Sequence, residues 1–183
     1  MNNTGGQYDK VVESCKEIFV KKTKDYGTAW RVLRTISVVD QIYIKAQRIR
    51  TIQEKKQQRV SDDIRGEFIG IINYAVIGLI QLTMPSDSPE EIPAEEAAQL
   101  YSTHIASSRA LMEDKNHDYG EAWRSMSQES FTDLILMKLQ RIRQILANDG
   151  RTLISEGIDA NYHDIINYAV FALILYPGNI NPS

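Results

Sequence analysis

The stretch KTKDYGTAWR at residues 22–31 returns as KNHDYGEAWR at residues 115–124, and this recurrence decides how the whole chain is read. At the same offset of 93, residues 22–52 match their partners at 16 of 31 positions. One added residue later in the second copy shifts the offset to 94, where IINYAV at residues 71–76 meets the same six letters at 165–170. Self-similarity at a fixed offset marks a repeated supersecondary unit, here of about 80 residues. Residues 1–84 are therefore expected to form one repeat and residues 96–183 another. Between them, 85–95 holds Pro85, Pro89 and Pro93 among the acids Asp87, Glu90, Glu91 and Glu95, with Glu96 directly after, and reads as a solvated linker.

Each copy reads as three helices, because the apolar spacing lacks the strict alternation of strands. A first helix is expected over about 8–24 and 96–117, stopped at Gly27 and Gly120, which makes the DYG triplet a corner. A short helical piece at 29–35 follows. Ser37 with Asp40, and Ser130 with Asp133, look like amino-terminal caps of the second helix. The third, over 62–82 and 159–176, is apolar nearly all round and should be central. The expected fold is all-α: two tandem three-helix repeats packed as a bundle about a pseudo-twofold axis.

Composition narrows the classes. The chain has 183 residues, 43% hydrophobic and 25% charged, so it can bury a core without covalent staples. Its one cysteine, Cys15, excludes an intrachain disulfide, and with no apolar leader at the amino terminus the expected setting is cytoplasmic. The apolar segments 68–82 and 165–176 fall short of the ~20 residues that span a bilayer, so no membrane association is expected. A net charge of −3 argues against general nucleic-acid binding. The charge is uneven: residues 1–84 carry 14 Lys and Arg against 9 Asp and Glu, and residues 85–183 carry 7 against 15. Two halves of opposite sign should attract.

Several repeated residues could carry chemistry. On the second helix Val38, Ile42, Ile49 and Ile52 form one stripe, as do Phe131, Ile135, Ile142 and Ile145, and Lys45 and Lys138 fall inside it. Such a lysine either snorkels to water or points its ammonium into a polar cleft. Arg48 and Arg141 lie one turn on, suiting a phosphate or carboxylate partner. Arg50 and Arg143 face the other side, towards solvent. Asn73 and Asn167 stand mid-helix in the most apolar element and must have partners, since an orphaned amide costs roughly 1–3 kcal/mol. Eleven residues earlier each copy has an acid, Asp62 or Glu156, and copy two adds Asp164 where copy one has Gly70 and a rotated Glu67. Asp62, Glu156 and Asp164 are candidate Mg²⁺ ligands, with Glu156 and Asp164 as catalytic candidates in copy two; a buried hydrogen-bond network uses such residues equally well. At the corners Asp25, Tyr26 and Trp30, and Asp118, Tyr119 and Trp123, read either as turn and core residues or as the wall of a ligand cleft. His104, His117 and His163 lack metal-ligand spacing, so zinc is not expected.

The combination K-x-x-D-Y-G-x-A-W-R, then K-x-x-R-I-R, then I-I-N-Y-A, resembles a small all-helical family of Bacteroidetes and phages called a nucleotide modification associated domain. The resemblance covers both copies and implies a link to nucleotide metabolism. The arrangement is distantly similar to MazG-type nucleotide pyrophosphohydrolases, whose helical carboxylates bind Mg²⁺. Their E-E-x-x-E helix is missing here, with only Glu13 and Glu17 on the first helix of copy one and Ala106 and Ala110 in copy two. The expectation is a nucleotide-associated protein binding a phosphate-bearing small molecule, with a Mg²⁺-dependent pyrophosphohydrolase-like activity as its enzymatic form and a homodimer as a further partner. The alternative is a helical interaction or scaffold protein.

Overall fold

The computed structural model describes residues 3–55 and 64–177. Among these there are six α-helices and no strand. Copy one contributes α1 (Thr4–Tyr26), α2 (Thr35–Lys55) and α3 (Ile64–Thr83); copy two contributes α4 (Ala94–Tyr119), α5 (Gln128–Ala147) and α6 (Ile158–Leu175). A single 3-10 turn follows each DYG corner, at Ala29–Val32 and Ala122–Ser125. The tandem all-α bundle expected from the repeat is what forms.

The helix starts differ from expectation. α2 begins at Thr35 and α5 at Gln128, so Ser37 and Ser130 lie inside the first turn and are not caps. A cap must precede the first helical residue. In copy two that residue is Ser127, whose hydroxyl accepts from the Ser130 backbone N–H at 3.2 Å. α1 likewise starts earlier than expected, capped by the Asn3 side chain, which accepts from Gly6 N at 3.0 Å.

Helices α3 and α6 pack on each other at the centre, α2 and α5 flank them, and α1 pairs with α4. Phe68, Ile72, Val76 and Leu79 of α3, and Tyr162, Ile166 and Val170 of α6, are buried. Each such side chain stabilises the core by roughly 1.5–3 kcal/mol relative to exposure. At 20 residues α3 is long and apolar enough to cross a membrane, although its apolar core alone spans fewer; here it is covered by α2, α4 and α6.

The pseudo-twofold relation is visible in reciprocal contacts. Tyr8 of α1 donates its hydroxyl to Asn167 Oδ1 of α6, and Tyr101 of α4 donates to Asn73 Oδ1 of α3, both at 2.7 Å. Each asparagine returns its own N–H to a backbone carbonyl of its own copy's first helix: Asn73 to Cys15 at 3.1 Å, Asn167 to Ser108 at 3.0 Å. Arg143 reaches Asp40 at 3.0 Å and Arg50 reaches Asp133 at 3.8 Å, the same pair drawn twice across α2 and α5. Arg50 is exposed as expected and Arg143 is less so, and both also reach across to the other copy. The packing of α2 on α5 places each head within reach of the other copy's acid, and the Arg143 guanidinium also lies 4.4 Å from the centre of the Tyr43 ring. Reciprocal pairing of i with j and j with i is the signature of an isologous contact.

The segment between the copies is not wholly solvated. Ile92 is buried, its N–H donates to Thr28 Oγ1 at 3.1 Å, and the Thr28 hydroxyl donates to the Glu90 carbonyl at 2.9 Å. The acids are exposed, but the Glu91 carboxylate also turns to Thr28 N, so its side chain and the backbone beside it strap the first corner.

Candidate functional site

Each copy brings its DYG corner, the lysine of its second helix and the middle of its third helix together. In copy one these elements enclose a cavity of about 690 Å³. Lys22, Lys45, Tyr26, Trp30, Asn73 and Tyr74 are among its walls, and Gly70 forms part of its floor. Lys22 lies four residues before Tyr26 on the last turn of α1, so both side chains look over the same edge. The Lys45 ammonium lies 5.9 Å from the centre of the Tyr74 ring and 3.6 Å from Glu67 Oε2. Glu67 also holds Arg48 at 2.5 Å. One carboxylate thus serves two cations, and no ion pair of Lys22 exists among the described residues. Trp30 has a buried indole nitrogen without a hydrogen-bond partner among the described residues.

In copy two the equivalent position is occupied from within. Asp164 stands where copy one has Gly70, and its carboxylate accepts from Lys115 at 2.7 Å and from Lys138 at 2.8 Å. Burial alone would raise the Asp164 carboxyl, but the two ammonium groups outweigh it and hold it below the ordinary carboxylate value. Trp123 is buried, stacks on Phe171 at 4.0 Å between ring centroids, and donates its indole N–H to Asn116 Oδ1 at 3.0 Å. A further cavity of about 1080 Å³ has Lys138, Arg141, Arg151 and Glu156 among its walls.

The residues singled out in the sequence therefore separate. Lys45, Tyr26, Trp30 and Asn73 meet at one cavity, and Arg48 is drawn off by Glu67. The aromatic residues of the corner divide, with Tyr26 and Tyr119 largely exposed and Trp123 in the core. Asp25 and Asp118 are exposed. Asn73 and Asn167 are buried, and the oxygen and the nitrogen of each amide both hold a hydrogen bond. Burial pushes the Tyr8 and Tyr101 hydroxyls far above their ordinary values, which keeps both as donors to these amides. Asp62 lies outside the described residues. Glu156 is exposed and precedes α6, whose first residue is Ile158, so the helical spacing that aligned it with Asp164 and Asn167 does not apply. Mg²⁺ prefers oxygen ligands carrying uncompensated charge. With an ammonium on each Asp164 oxygen and Glu156 outside the helix, these two residues do not fit a shared Mg²⁺. No cluster of three His, Cys, Asp or Glu side chains suited to a metal ion occurs among the described residues.

Two groups of site residues were missed. Lys22 and Lys115 open the repeated motif, and their retention in both copies three residues before the Asp was a readable signal. Tyr8 and Tyr101 also match at offset 93, but in a stretch where few neighbours do.

No curated protein and no solved structure matches the chain. Residues 22–82 and 115–175 each match the family described as nucleotide modification associated domain 1, and each match takes in a DYG corner, a second helix and a third helix. Those two segments make up more than half of the sequence, and the chain belongs to that family as a tandem copy of its domain.

Proposed function

We propose that copy one binds a phosphate-bearing small molecule in the cavity at its DYG corner, with a nucleotide as the ligand class favoured by the family's description. The observation that carries this reading is the charge of the cavity's lining: Lys22 and Lys45 are among its walls, none of the described residues lining it is an acid, and the carboxylate nearest Lys45, that of Glu67 at 3.6 Å, is shared with Arg48. An anion placed there meets two ammonium groups in a partly desolvated site, where charge-assisted hydrogen bonds are strongest. The cavity volume falls within the range of about 300–1,000 Å³ usual for small-molecule sites. Tyr26, Trp30 and Tyr74 supply aromatic surface against which a base can lie. The arrangement is one of holding an anion, and no reaction is assigned to it.

Calorimetric titration of the intact protein with nucleoside 5′-monophosphates and with the corresponding nucleosides tests the reading. Binding should depend on the phosphate, weaken with added salt, and fall by about tenfold or more in Lys45→Ala, as expected for loss of one charge-assisted contact. Equal affinity for nucleoside and nucleotide would overturn it. The reciprocal Tyr–Asn and Arg–Asp contacts between copies favour an architectural role for those residues, which is where the scaffold alternative keeps its support.

A further inference from the structure

The third helices carry equivalent positions in opposite ways. Glu67 and Gly70 in copy one correspond to Asn161 and Asp164 in copy two, so the acid has moved by one helical turn between the copies. In copy two the Asp164 side chain is 10% exposed and each of its oxygens takes one ammonium. The counterparts of those two lysines, Lys22 and Lys45, line the copy-one cavity. At Gly70 a Cβ atom would lie 2.8 Å from Lys45 Cε and 3.1 Å from Lys45 Nζ. Lys45 therefore leans into the space that an Asp164-like side chain would take. The indole nitrogens differ in the same sense, with Trp123 Nε1 paired to Asn116 and Trp30 Nε1 unpaired, because the position of Asn116 is held by Thr23, whose hydroxyl donates to the Phe19 carbonyl.

We infer that Asp164 is a built-in ligand: its carboxylate closes the copy-two cleft for good and marks, by the pseudo-twofold relation, where the anionic group of an external ligand seats in copy one, between Lys22 and Lys45. The inference rests on the phosphate reading above and deepens it. The ligand presents at least two terminal oxygens from one centre, as a phosphate or a carboxylate does, and the chain carries one working cleft of this kind rather than two. Copy two is the closed reference for the open copy one.

The test is stoichiometric, using inorganic phosphate and nucleoside 5′-monophosphates as probes on the intact chain, with acetate as the carboxylate arm. Wild type should bind one equivalent in this class of site. Gly70→Asp should lose that site, with affinity down by about tenfold or more, and should melt at a higher temperature because the new carboxylate joins Lys22 to Lys45. Asp164→Gly should melt lower, regain part of the loss on adding phosphate, and bind a second equivalent that Lys138→Ala removes in the same background. A folded Asp164→Gly protein with one site, or a Gly70→Asp protein that binds as wild type does, overturns the inference while leaving the phosphate reading standing. A wild type without a site overturns both the phosphate reading and the inference, whatever Asp164→Gly binds. Should Asp164→Gly fail to fold, the Gly70→Asp binding and melting data decide the matter alone. Absence of binding in every protein overturns both.

Discussion

Copy one and copy two share a framework and differ in how each corner is closed. In copy one the 3-10 turn is strapped from outside by the connecting segment: Glu91 accepts from Thr28 N at 3.3 Å, and Arg31 donates to the Pro89 carbonyl at 3.3 Å. In copy two the strap is the start of α1, where Arg124 donates to Thr4 Oγ1 at 2.8 Å and to Gln7 at 2.6 Å, and Thr4 bonds Glu121. The backbones follow suit. Gly27 takes φ 64°, ψ −148°, whereas Gly120 takes φ 61°, ψ 34° and Glu121 is also left-handed. The difference teaches that the repeated letters build the frame, and that the unrepeated ones decide what each frame is open to.

The sharpest way to break the comparison is to remove the acid from each third helix. Asp164→Ala leaves the Lys138 ammonium buried without its partner and should cost about 3–5 kcal/mol, whereas Glu67→Ala, whose cations are a quarter exposed, should cost about 1–2 kcal/mol by urea denaturation. Equal losses would mean the two acids are equivalent. The pH dependence gives the sign. A depressed carboxyl stabilises fully above its unfolded value of 3.8 and loses that contribution as pH falls through its lower folded value. The gap between wild type and Asp164→Asn should therefore stay level from neutral pH down to about 4 and close below it.

Next in size are the paired asparagines, where the copies are alike. Asn73→Ala and Asn167→Ala each orphan one tyrosine hydroxyl, and each should cost about 2–4 kcal/mol with the same value within error. A difference beyond about 1 kcal/mol would show that the exchange of tyrosines is not energetically symmetric. The smallest contrast lies at the glycines. At Gly27 a Cβ would stand 2.6 Å from Glu91 Oε1 on a backbone that side chains avoid, and Gly27→Ala should cost about 1–3 kcal/mol. Nothing lies within 4 Å of a Cβ at Gly120, so Gly120→Ala should cost about 1 kcal/mol, the left-handed strain alone. Thermal melts of the two variants check the order.

Much of this was legible from the letters. The internal match announced two equal units, and the near-continuous apolar runs around Asn73 and Asn167 placed those helices at the centre and demanded partners for the amides. The partners themselves were not legible, because Tyr8 and Tyr101 come from the opposite copy and no local spacing connects them. Asp164 was found for its place three residues before Asn167, and of its two readings the buried network is the one that forms, while the alignment with Glu156 fails on a boundary. α6 begins after Gly157, so the geometry that linked Asp164 to Glu156 was drawn through residues that are not helical, and the ammonium of Lys115 arrives from another helix. The caps failed for the same reason, since the 3-10 turn feeds each second helix sooner than a Ser-x-x-Asp pattern suggests.

The crossing of Tyr8 and Tyr101 has a consequence for descent as well as for stability. A half-chain on its own would uncover its third helix and leave the asparagine oxygen without its tyrosine donor, and a second identical unit lending its own tyrosine would supply both. Such a homodimer must spell both clefts with one set of letters. Joining the halves in a single chain lifts that constraint, and Gly70 opposite Asp164 is a divergence that a pair of identical units could not carry.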